Sequence, residues 1–213
     1  MRMKFWLRTA LKNSGTIVAA TAIYGGVMLL LNVGDSPVES WIFYTTAYSG
    51  FMQLASGIGL LQNTSNLALS MGATRRETFW GIFIVALLPV LTMTAFSVLS
   101  YAALAMLGEK SPLTQWVIPM NLAVGLIGSE AGLTIGMLMK RFGKAAGIAA
   151  GIVLLLLAVS IGFCTGLGVF AALPGIWAGA ETIWWIFTLV GLAIYAGLLI
   201  PVRRVVSRFT VKI

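Results

Sequence analysis

The chain has 213 residues, of which 59% are hydrophobic and only 9% charged, with no histidine and a mean hydropathy of +0.97. A soluble domain of this length could not hide that much apolar surface, so the composition excludes an ordinary soluble enzyme and predicts an all-α integral membrane protein. The net charge of +8 would suit a nucleic-acid binder, but its placement along the chain has another explanation.

The first 13 residues, rich in Lys4, Arg8 and Lys12 on one helical face and Met3, Trp6, Leu7 and Ala10 on the other, predict an amphipathic interfacial helix. Six long apolar runs follow, near Ser14–Asn32, Trp41–Leu61, Trp80–Leu107, Trp116–Met139, Ala145–Phe170 and Ile183–Val202. Each approaches the roughly 20 residues that a transmembrane helix needs. They are continuous rather than alternating, which excludes a β-barrel. The first is too long for a signal-peptide core and is read as a retained span. Six spans with short connections predict a single transmembrane domain over residues 1–213, with both termini cytoplasmic.

With that alternation, 13 of the 14 basic residues fall on the cytoplasmic side and only Lys110 lies outside. Asp35, Glu39, Glu109 and Glu181 fall outside, Glu77 inside, and Glu130 within a span. The positive-inside rule accounts for this bias. The basic balance therefore marks topology and attraction to anionic lipid, and no nucleic-acid partner is expected.

Within the second span, Thr45, Ser49, Gln53 and Ser56 fall within about 80° of one another at 100° per residue. Such a stripe either glues one helix to another or lines a transport path or subunit interface. Segment 62–79 follows, with Asn63, Thr64, Ser65 and Asn66 as cap chemistry, a break at Gly72 and a second helical start before Arg75. Pro89 predicts a kink in the third span. The fourth span carries Gly125, Gly128, Gly132 and Gly136 on one face, a seam for close helix packing. Glu130 points about 160° away from that seam and lies about 15 Å deep, ten residues before Lys140. A carboxyl at that depth is a functional candidate by default. No Lys or Arg lies at matching depth to pair with it. Cys164 reads as a small buried hydrophobe, and "AALPGIWAGAETIWW" as an interfacial turn on the outer side.

"LALSMGATRRETFWG" resembles the signature that follows the second span in the membrane subunits of type-2 ABC transporters. The six spans, the entry helix, the interrupted third span, "RFGKAAGI" and the Pro/Gly-Trp outer segment extend the resemblance over most of the chain. It implies that 62–79 is a coupling segment, with Leu69, Met71, Gly72, Thr74, Arg75, Arg76 and Glu77 docking a separate ATPase subunit. It further implies a bacterial plasma-membrane permease that works as a dimer with an identical or homologous second subunit. The second and fifth spans would then flank the transport path. Many small members of that family export peptides or confer immunity to them, so a peptide or other amphipathic substrate is expected. ATP and magnesium would sit on the partner, with no cofactor on this chain. Consistently, the chain has no Gly-x4-Gly-Lys-Ser/Thr phosphate loop.

The residues also allow a substrate-capture subunit of a vitamin-type importer, with Gln53 and Glu130 as its candidate site. A proton-coupled carrier using Glu130 is a further reading, though no second titratable group offers a relay. With no histidine, one cysteine and one intramembrane acid, the chain lacks the usual groups for catalysis and is not read as an enzyme.

Overall fold

The computed structural model describes residues 2–31, 37–106, 117–153 and 180–207. Every regular element among them is helical: α1 (Arg2–Leu30), α2 (Pro37–Gly59), a π-helical turn (Leu60–Thr64), α3 (Ser65–Ser70), α4 (Arg75–Met106), α5 (Val117–Phe142), α6 (Lys144–Val153) and α7 (Ala180–Ser207). Four helices are long and apolar enough to cross a membrane, namely α1, α4, α5 and α7. Helix α2 is long enough but is not among them, because Thr45, Thr46, Ser49 and Gln53 dilute its apolar character. Its polar residues are buried against neighbouring helices rather than turned toward lipid. Only the start of the expected fifth span is described, as α6. The rest of that span, Cys164 and most of the Pro/Gly-Trp segment lie outside the described residues.

Helix α1 is continuous from Arg2 to Leu30, with no break between the basic segment over 1–13 and the apolar part. Lys4, Arg8 and Lys12 are exposed as their spacing predicts, but the opposite face divides. Trp6 and Ala10 are buried, whereas Met3 and Leu7 are exposed. The cause is Gly81 on α4, where a Cβ would collide with the Trp6 indole. The missing side chain makes the socket for the ring and seats the start of α1 on the start of α4. Further along the same stripe, Gly25 admits the Thr45 and Trp41 side chains of α2.

Helix α5 is the hub, packed by α2, α4 and α7. Its glycine seam faces α2. A Cβ on Gly128 would fall on the carbonyl oxygen of Gly50, and one on Gly132 on that of Leu54. Gly57 returns the contact, lying 3.0 Å from where that Gly132 Cβ would be. Such backbone-to-backbone approach gives van der Waals packing where lipid removes the hydrophobic drive for helix pairing. Helix α4 runs through Pro89 without interruption. Proline removes a backbone donor, and one turn away the Ala86 carbonyl accepts a long bond of 3.5 Å from Ser129 of α5.

Side-chain contacts fix which ends lie together. The Trp6–Gly81 contact, a hydrogen bond from Lys140 to Asn66, and a groove shared by Arg76 and Arg203 gather the basic ends of α1, α4, α5 and α7 at one end of the described bundle. At the other end Ser97 of α4 donates to Asn121 of α5 at 2.9 Å, and Thr188 of α7 donates to the Pro119 carbonyl at 3.0 Å.

Candidate functional site

The basic end carries a compact knuckle between α2 and α4. Asn63 to Asn66, expected to cap a new helix, do not do so. Thr64 keeps helical angles (φ −66°, ψ −39°) and makes no side-chain cap. Ser65 donates instead to the Leu61 carbonyl at 2.8 Å and Asn66 to that of Gln62 at 2.9 Å. The chain stays helical from α2 into α3 through one wide turn, Leu60–Thr64. Such π turns are rare and concentrate at functional sites.

The true stop comes at Gly72, whose φ of +81° lies in the left-handed region that only glycine enters without strain. Its N–H donates to the Leu69 carbonyl, and the Ala73 N–H to the Ala68 carbonyl, both at 2.9 Å. This pair of bonds is a Schellman motif. Two residues later α4 starts with a reciprocal capping box. The Glu77 N–H donates to Thr74 Oγ1 at 3.2 Å, and the Thr74 N–H donates to Glu77 Oε2 at 2.8 Å. "MGATRRE" is therefore a stop–start signal written in seven residues.

This geometry divides the residues expected to dock an ATPase. Gly72, Thr74 and Glu77 shape the turn. Leu69 is half-buried, Met71 is 64% exposed, and Arg75 and Arg76 are exposed. The knuckle is held to the hub, because Gln62 donates to the Gly136 carbonyl at 3.2 Å and Lys140 donates to Asn66. Beside it lies a groove of about 640 Å³, lined by Arg75, Arg76, Phe79 and Trp80 of α4 and by Ile200, Arg203, Val206 and Ser207 of α7. Arg203 was not among the expected site residues. Its shared cytoplasmic placement with Arg75 and Arg76 was the available signal.

The polar residues of the second span lie inside the bundle, with Ser56 only partly so. Ser49 is buried and donates to the Thr46 carbonyl at 2.9 Å, while Ser56 accepts from Asn13 of α1. Gln53 is 2% exposed, lies against Gly125, and neither of its amide atoms has a hydrogen-bond partner. Glu130 is 6% exposed, and its Oε1 is also without a partner. It faces α7, where a Cβ on Gly191 would lie 3.8 Å from that oxygen. Gln53 of α2 thus packs on one face of α5 while Glu130 projects from the opposite face, and the two do not converge on one site. Among the described residues no group of three or more Asp, Glu, Cys or His is placed to hold a metal. No family model matches the chain, and neither a curated protein nor a solved structure matches it.

Proposed function

We propose that the chain is the membrane-spanning permease subunit of an ATP-driven ABC exporter in a bacterial plasma membrane. It would act as a dimer with separate ATPase subunits and move a peptide or other amphipathic substrate. The observation that carries this reading is the knuckle. It is short, closed at both sides by backbone and capping bonds, and presents Met71, Arg75 and Arg76 at its surface. Its bonds to Gly136 and Lys140 give a push from an ATPase a direct route to α5. Since α5 packs on α2, α4 and α7, its displacement would rearrange most of the bundle.

The test is co-purification from native membranes in mild detergent. A stoichiometric ATPase subunit is expected with the wild type and is lost from Arg75→Glu/Arg76→Glu, which still inserts. Normal co-purification of that variant would sink the proposal. The partnerless amide of Gln53 favours a second reading, a substrate-capture subunit in which Gln53 without Glu130 would touch the substrate. A chain that purifies alone with a small molecule bound would move the assignment there.

A further inference from the structure

The groove between α4 and α7 combines two chemistries. Three guanidinium groups line it, from Arg75, Arg76 and Arg203, and among the described residues no acidic side chain does. The remaining lining is mostly apolar, with Phe79, Ile200 and Val206 beside a half-exposed Trp80. The groove sits where α4 begins and α7 ends, at the basic end of two helices long enough to cross a membrane.

We infer that this groove binds one anionic phospholipid of the leaflet at the basic end. The phosphate headgroup lies among Arg75, Arg76 and Arg203, and the upper acyl chains lie along Trp80 and Ile200. Guanidinium groups suit phosphate because their N–H forks bond its oxygens in pairs. Indole rings favour the headgroup level, where one edge is wet and the other apolar. The volume of about 640 Å³ is large enough for a headgroup and the first segments of its chains. A lipid fits better than an acidic polypeptide because the apolar wall continues into bilayer-facing surface. Ile200 is itself 62% exposed, and further along α7 so are Leu189 and Leu192. A soluble acidic segment would satisfy the arginines but not that wall. The inference requires only that the chain be membrane-embedded and does not depend on the ATPase reading.

Arg203 lies outside the proposed docking surface, so it separates the two proposals. The full chain, purified in mild detergent, is titrated with phosphatidylglycerol or phosphatidylcholine of identical acyl chains, and retained lipid is counted by native mass spectrometry. One phosphatidylglycerol is expected to stay bound at concentrations where phosphatidylcholine does not. Arg203→Gln lowers its retention roughly fivefold, the attraction of one basic side chain to an anionic headgroup. Arg203→Lys, which keeps the charge but loses the fork, falls between the wild type and Arg203→Gln. Lys144→Gln, which removes an exposed charge at the same end but outside the groove, leaves retention unchanged. Equal retention of the two lipids, or an equal loss with Lys144→Gln, overturns the inference. Displacement by equimolar inorganic phosphate, or by an acidic polypeptide lost together with Arg203, also overturns it. ATPase co-purification is measured on the same Arg203→Gln sample and is expected to persist.

Discussion

Thr74 and Glu77 each satisfy the other's backbone N–H, and this pair caps the start of α4, the longest of the described helices. Both had been expected to face an ATPase. Their hydrogen bonds give them a local role that needs no partner chain. Thr74→Ala is expected to cost about 1 kcal/mol of local stability, the usual loss when an N-cap side chain is removed. Glu77→Gln is expected to be silent, since glutamine also closes a capping box. The measurement is limited trypsin cleavage at Arg75 and Arg76, which should accelerate roughly fivefold in Thr74→Ala and not in Glu77→Gln. Loss of ATPase association in Glu77→Gln with unchanged cleavage would return the carboxylate to a docking role.

The α2–α5 seam makes a second prediction. A methyl group on Gly128 or Gly132 has to displace a carbonyl of α2, and backbone cannot yield as a side-chain tip can. Gly128→Ala and Gly132→Ala should each cost about 1–3 kcal/mol, as overpacking does. Gly26→Ala is the control, because a Cβ there meets nothing within 4 Å. It should be neutral or stabilising by up to about 1 kcal/mol, the helix preference for alanine over glycine. Thermal unfolding in detergent compares the three. Equal behaviour would mean that the seam is open when the protein is purified.

Gln53 makes the third. A buried amide with no hydrogen-bond partner costs roughly 1–3 kcal/mol relative to an apolar group of the same shape. Gln53→Met should therefore raise the unfolding temperature. A fall instead would show that the amide has a partner, such as a bound molecule. Transport activity of the same variant then separates a structural amide from a working one.

Reading the sequence located the glycine seam because four-residue spacing survives any arrangement of neighbours. It did not identify α2 as the seam's partner, since periodicity defines a face and not what covers it. The same limit applies to Gln53 and Glu130. The depth of Glu130 and its turn away from the seam could be read from helix geometry, but only packing places Gln53 of α2 against the seam face. The break at Gly72 was legible because glycine punctuates helices. The spacing Thr74-x-x-Glu77 was equally legible as a capping box, but it was absorbed into the docking motif. Asn63 to Asn66 misled because cap-forming residues also bond back to carbonyls within a continuing helix. The polar stripe on α2 left two readings open, and in this conformation Thr45, Ser49 and Gln53 are buried against the rest of the bundle. The dual use of Trp6 and Leu7, one buried and one exposed, depended on a glycine 75 positions away from the tryptophan.

The unbroken length of α4 sets a clearance. Its 32 residues span about 48 Å at 1.5 Å each, against about 30 Å of hydrocarbon in a bilayer. Ordinary tilt absorbs only a few ångströms of the difference. Where α4 crosses a bilayer, the surplus has to be shared between the two faces, and at the basic face it would lift Arg75 and Arg76 toward water with Trp80 near the headgroups. A thinner bilayer would raise that platform further and a thicker one would draw it down. The height at which any soluble protein meets this chain is therefore set partly by the lipid around it.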